Sequence, residues 1–378
     1  VLRGIPSNLR DAWTLARPYF SSEEKWSARL LLAAIVALNL GLVALEVVLS
    51  YWNKEFFDSL QDKNWDSFIA LLFFFRIDDS GFMPGFTAVA VIYIAVAVYR
   101  RYLNQWLQIR WRRWMTTRFL DGYFSDRAFY RIALLGAAGN GNGAAEGTDN
   151  PDQRIADDVR DFVADTLALS LDLLSNVVTL FSFIVILWNL SGPVTLLGVT
   201  IPGYMVFVAL LYAAVGTTLT HLVGRPLAAL NFRQQRVEAD FRFSLARLRE
   251  NAEGIALQGG EAQEKLALSG RFAALAANWW AIMQRTKLLN AFVAGYGQVA
   301  SVFPIVVAAP RYFSGELPLG GLTQTAGAFG QVQSAMSWFV TSYASLASWQ
   351  ATVGRLATFE RAIAAARAGT QQGLVHAT

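Results

Sequence analysis

The chain has 378 residues, of which 54% are hydrophobic and only 16% charged, with 26 Phe and 12 Trp. A soluble chain carries roughly a quarter charged residues, so the deficit points to lipid and away from water. Its net charge is +4. Without Cys it builds neither disulfides nor thiolate metal sites, and His221 and His376 stand far apart, so no metal centre is expected.

In chain order, residues 1–29 form a polar, amphipathic segment. No cleavable signal peptide is read there, so the first span is expected to target the chain, and a start on Val1 in place of Met suggests missing leading residues. A membrane span needs about 20 mostly apolar residues. Leu30–Ser50 meets this, with Glu46 as its only ionisable group. Phe86–Leu107 is the second span, with Arg100 and Arg101 near its end and long enough to snorkel to the headgroups. Leu167–Leu190 is the third, Val199–Val223 the fourth with a bend expected at Pro202, and Leu288–Ala309 the fifth with Pro304 inside. Leu317–Gly354 carries no charge and supplies a sixth that continues past the membrane. The fold class read from this is an all-α membrane protein with six transmembrane helices occupying residues 30–360.

With a cytoplasmic N-terminus the outer loops are 51–85, 191–198 and 310–318. Of the 32 Lys and Arg, those loops hold only Lys54, Lys63, Arg76 and Arg311, which is the asymmetry of the positive-inside rule. The sequence pI near 9.3 therefore reads as topology, and no nucleic-acid partner is expected. Both termini fall on the cytoplasmic side. The two long inner stretches read as helical for most of their length, so spans two to five extend far into the cytoplasm and are joined by polar elbows. In the first elbow, Asn150–Pro151 makes a turn after which Asp152 is placed to cap a new helix. In the second, Gly254 sits in a short helix and Gly259–Gly260 stop it.

Those elbows carry a resemblance. "NPDQRIADDVRDF" (Asn150, Pro151, Asp152, Gln153, Arg154 and onward) and "EGIALQGGE" (Glu253, Gly254 to Gly259, Gly260, Glu261) resemble the coupling-helix motifs of exporter-fold ABC transporters. The branch is that of the peroxisomal acyl-CoA half-transporters and the SbmA/BacA-like peptide transporters. "EVVLSYWNKEFFDSLQ", "NFRQQRVEADFR" and "GQVQSAMSWFV…GRLATFE" are similar to the same branch, in the same order. The resemblance implies a two-fold dimer of the chain with itself, alternating access in the bilayer, and elbows that dock a nucleotide-binding domain. ATP and Mg would be held on that domain, outside this chain.

The phosphate loop G-x-x-x-x-G-K-[ST] has no counterpart here, since no Gly-Lys pair occurs and the glycine-rich stretch Gly136–Gly147 lacks the lysine. This chain offers no catalytic residue of its own; the full-length protein is expected to be an ABC-type translocating ATPase, with residues 361–378 starting the linker to the missing domain. The other reading is a proton-driven SbmA/BacA-like transporter without an ATPase, and the intact second elbow favours the first. The expected cargo is a peptide or peptide-like antibiotic taken up across a bacterial inner membrane, with lipid, acyl-CoA or a vitamin as alternatives.

Two features bear on the path. Glu46 is either a cavity or gate carboxylate or a side chain that reaches the outer headgroups. Gln324, Gln331, Ser334, Thr341, Ser345 and Ser348 recur at helical spacing on one face of the sixth span, as a hydrophilic cavity wall or as a helix-packing seam.

Overall fold

The computed structural model describes residues 5–78, 81–138, 150–196 and 199–375. Most of the Gly136–Gly147 stretch, and His376, lie outside the described residues. Helices α1 (Ile5–Ala16), α2 (Lys25–Gln61) and α3 (Trp65–Phe73) lead to a hairpin of β1 (Phe75–Asp78) and β2 (Gly81–Pro84). Next come α4 (Phe86–Phe124), α5 (Ala128–Ala138), the single turn α6 (Pro151–Gln153) and α7 (Val159–Ser191). A second antiparallel hairpin, β3 (Pro193–Leu196) and β4 (Val199–Pro202), precedes α8 (Tyr204–Glu250), α9 (Ala252–Gln258), α10 (Glu261–Phe313), α11 (Leu319–Thr341) and α12 (Tyr343–Val375).

Among the described residues five helices are long and apolar enough to cross a membrane, within Lys25–Gln61, Phe86–Leu134, Pro151–Ser191, Tyr204–Glu250 and Glu261–Phe313. They coincide with the first five expected spans. The 47 residues of α8 and 53 of α10 measure about 70 and 80 Å at 1.5 Å per residue. A hydrocarbon layer of about 30 Å uses fewer than half of them, so long helical stretches lie outside it. The expected sixth span falls on α11 and α12, whose backbone ladder runs on through Ser342. Its Gly, Gln, Ser and Thr make it more polar than the other five.

One boundary differs from the sequence expectation. Val199–Pro202 is a strand, registered against Pro193–Leu196, and not the start of the fourth span. Val, Thr and Ile favour extended backbone, and Gly203, at φ +65°, turns the chain into α8. Pro202 therefore ends a strand and bends no helix.

The chain divides into two compact units, Val1–Ile186 with Pro318–Thr378, and Leu187–Leu317. In the first, the core gathers Tyr19, Leu107, Trp111, Met115, Phe162, Val163, Val353, Leu356 and Phe359. Tyr19 stacks on Trp111 with centroids 5.7 Å apart and planes 7° apart, and Phe162 meets the same indole edge-on. This core lies mostly beyond the apolar spans. Of the most apolar window in Phe86–Leu134 only 6% is buried. Lipid tails are as apolar as Leu, so burial drives helices together only where water is the competing solvent. There each large buried side chain contributes about 1.5–3 kcal/mol.

In the second unit α8 and α10 are tied by reciprocal bonds. The Tyr212 hydroxyl donates to the Tyr296 carbonyl (2.8 Å), the Tyr296 hydroxyl donates to the Tyr212 carbonyl (2.7 Å), and the rings stack at 4.5 Å. Further along, the amide of buried Asn278 donates to the Leu230 carbonyl and to Gln234 Oε1.

Candidate functional site

The first elbow is built on a change of helix type. Asn150, in the left-handed region at φ 53°, precedes Pro151 at the first helical position, where a missing N–H costs nothing. Asp152 does not cap this helix as the sequence suggested. Asn150 holds the cap position, and Asp152 lies in the first turn, where its charge still suits the helix N-terminus. Asn150, Asp152 and Gln153 are exposed.

Arg154–Asp158 then winds as a π-helical turn into α7, and its wider pitch turns Arg154 and Asp158 into the protein. Asp158, 2% exposed, accepts from Arg154 Nη1 at 2.7 Å and from Arg355 of α12 twice, Nη2 at 2.7 Å and Nε at 3.0 Å. Burial alone would raise the Asp158 carboxyl, but the hydrogen bonds and charges of Arg355 and Arg154 outweigh it and hold it below the ordinary value. Arg112 of α4 donates to the Ala156 carbonyl (3.2 Å), and Arg118 pairs with Glu360 (2.5 Å), so α4, the elbow and α12 are laced together. Sequence reasoning singled out Arg154 but missed Asp158 and Arg355; Asp158 was signalled by its place four residues after Arg154, and nothing local pointed to Arg355.

The second elbow is α9 itself, seven residues between α8 and α10. Glu253 lies in its first turn, Gly254 has open space where a side chain would project, and Gly259 ends it at φ +64°. Gly260 then precedes Glu261, the first residue of α10. Glu253, Gly254, Gly259 and Glu261 are exposed. So is Leu257, at 82%, which sequence reasoning did not single out. Behind α9 an open cleft of about 510 Å³ is lined by Phe241, Leu248, Ile255, Leu268 and Phe272. An exposed leucine beside an apolar cleft on a polar elbow has the composition of a protein-docking surface.

Of the expected path residues, Glu46 is half-buried on α2 and makes no hydrogen bond or ion pair among the described residues. Gln324 is 2% exposed and donates to Ser50 Oγ at 3.3 Å, while its Oε1 is buried without a partner. Ser50 is one turn beyond Glu46, so these two residues share a face of α2. The remainder of the stripe does not join them. Gln331 is half-buried, Ser334 and Thr341 are exposed, and Thr341 closes α11 by donating to the Ser337 and Trp338 carbonyls. Ser345 and Ser348 belong to α12 and are exposed. Tertiary packing divides one sequence stripe into a seam residue and an open face. Arg100 also departs from expectation: it does not snorkel but donates to Asn39 Oδ1 on α2 at 2.5 Å.

The model of the family described as ABC transporter transmembrane region 2 matches residues 15–313. The chain is 34% identical to ABC transporter D family member 2, chloroplastic, of Arabidopsis thaliana, over 94% of this chain and 46% of that protein. It is 34% identical to the inner membrane ABC transporter ATP-binding protein YddA of Escherichia coli (strain K12), over 92% of this chain and 59% of that one. Identity with the mouse lysosomal cobalamin transporter ABCD4 is 26%, over 62% of this chain and 36% of the transporter. The chain spans about half the length of the first two of these curated relatives.

Proposed function

The chain belongs to the ABC transporter transmembrane region 2 family, and from that premise we propose that it is the membrane-spanning part of an ATP-dependent transporter, taking up peptides or peptide-like antibiotics across a bacterial inner membrane. It works as a two-fold dimer of six-span subunits with both termini in the cytoplasm, and a nucleotide-binding domain docks on the elbows. One observation carries the reading: polar elbows with exposed tips sit at the ends of helices that run tens of ångströms past their apolar spans. A passive channel has no use for such levers.

No Gly-Lys phosphate loop occurs in the sequence, so these residues do not fit ATP or Mg, which would be held on the docked domain. The Escherichia coli relative is named as an ATP-binding protein, which supports that arrangement. What this chain supplies is reception and transmission. A displacement of Asn150–Gln153 is passed by the Asp158–Arg355 pair to α12, and a displacement of α9 is passed along α8 and α10, which the Tyr212–Tyr296 clasp holds together. Alternating access follows when the helices carry that movement to the cavity. A vitamin cargo is the second reading, favoured by the name of the lysosomal cobalamin transporters among the relatives. Glu46, a carboxylate in a span with no partner among the described residues, favours the proton-driven version of the first.

The test is uptake by the full-length protein in vesicles, with a labelled cationic peptide and with cobalamin, under ATP or an imposed proton gradient. ATP-dependent peptide uptake is expected. Uptake on the gradient alone overturns the energy source, and uptake of cobalamin in place of peptide overturns the cargo.

A further inference from the structure

Three helices of the first unit bring a charged cluster to one depth of the apolar region. Asn39 of α2, 1% exposed, donates its amide to the Leu171 carbonyl (3.1 Å) and to Ser175 Oγ (2.6 Å) on α7. Those bonds settle which end of the amide faces α4, and its Oδ1 accepts from Arg100 Nη1. Arg100 is thereby held in place, half-buried, with one of its five N–H donors used among the described residues. Asp172 follows Leu171, whose carbonyl Asn39 engages, on α7 and is exposed. Arg100 and Asp172 do not close into a salt bridge, and the Asp172 carboxylate accepts no hydrogen bond among the described residues.

Depth makes this arrangement costly. Asn39 lies nine residues and Asp172 five residues into their spans, about 13 and 8 Å from the elbow-side edge of the hydrocarbon at 1.5 Å per residue. Ionisable groups at such depth almost always face a bundle interior or a water-filled cavity and mark a substrate or ion path. A structural ion pair would close, because an open one leaves the carboxylate without a hydrogen bond in a poor solvent. An open pair, one member fixed by a buried amide and the other exposed, matches a ligand that carries both charges.

We propose that Arg100 and Asp172 form a zwitterion-reading site in the path: the guanidinium takes a carboxylate through its free donors, the Asp172 carboxylate takes an ammonium, and Asn39 positions Arg100. The ligand class is an amino acid or short peptide with free ends. This rests on the peptide-cargo reading given above.

The test uses the whole chain in lipid nanodiscs and three probes followed by calorimetry: alanylalanine, its N-acetyl form and its C-terminal amide. The free dipeptide is expected to bind about ten-fold tighter than either capped form, the size of one charged hydrogen-bonded contact. Arg100→Gln should erase the difference between acid and amide and keep the difference between amine and acetyl. Asp172→Asn should do the reverse. Arg100→Lys, which keeps the charge, should retain a reduced preference for the acid, and circular-dichroism melts on every variant separate loss of recognition from loss of fold. A parent chain that binds none of the probes, or all of them equally, overturns the site, as does a variant pair that weakens all three alike. Binding indifferent to the end charges leaves the peptide reading standing; absence of peptide uptake in vesicles removes that reading whatever the nanodiscs report.

Discussion

Asp158 is the residue on which the first elbow hangs. Removing one partner from a buried, hydrogen-bonded charge pair leaves the other charge stranded, at a cost of about 3–5 kcal/mol. Asp158→Asn should therefore lower the thermal midpoint of the purified chain strongly, whereas Asp157→Asn, at a partly exposed pair with Arg160, should change it little. The pH dependence has a definite sign. The Asp158 carboxyl is held below its ordinary value of 3.8, so its stabilisation is complete above that value and disappears as pH falls through the lower folded value. Acid titration should show the parent chain losing stability below about pH 4 along a limb that Asp158→Asn lacks. Glu46 predicts a different outcome at the level of transport. Glu46→Gln keeps shape but removes the titratable charge. If Glu46 lines a gate, uptake of a cationic peptide falls sharply and the residual rate loses its pH dependence; near-normal uptake makes it a headgroup-reaching side chain.

Among the elements, α9 offers a test in which loss of function and loss of fold separate. Nothing lies within 4 Å of the position a side chain at Gly254 would take. Gly254→Trp, with Glu253→Trp, should thus leave the chain folded in the membrane while uncoupling ATP hydrolysis from uptake in the full-length protein. Cargo-stimulated hydrolysis and uptake at the parent level would sink the elbow as a receiver of motion. Gly259 behaves differently, since its φ of +64° penalises a side chain, and Gly259→Val should cost roughly 1–2 kcal/mol by straining the left-handed turn. Leu257→Asp places a charge on the exposed apolar tip. Co-purification with a separately expressed nucleotide-binding domain should drop, with the melting curve of the chain unchanged.

Across the whole molecule, the distribution of burial supports assembly. The most apolar windows of the five membrane helices are between 6% and 28% buried within one chain. One copy thus leaves most of its membrane-level surface to lipid or to another protein. Five membrane-crossing helices per copy are too few to enclose a wide polar path, so the proposed two-fold pair of copies is the arrangement to test. In nanodiscs the particle should carry twice the 41.7 kDa of the chain, as read by mass photometry, and a strictly monomeric particle that still transports removes the dimer.

What the sequence determined by itself was whatever depends on local runs and local backbone. Twenty apolar residues in a helix match a bilayer wherever the remainder of the chain goes, so five spans were legible from hydropathy. Asn150–Pro151 and Gly259–Gly260 were legible as elbows because proline and left-handed glycine restrict the chain within a residue or two. The hairpin at Val199–Pro202 was not, since a short β-branched stretch next to an apolar run has the same composition as a helix end. Only the tertiary structure decided which polar residues meet. Asp158 and Arg355 are 197 residues apart in sequence, and Asn39 and Ser175 are 136 apart. No periodicity within one helix encodes a partner on another. In lipid, where burial does not choose the neighbour, it is the helix packing beyond the membrane that brings Asp158 to Arg355.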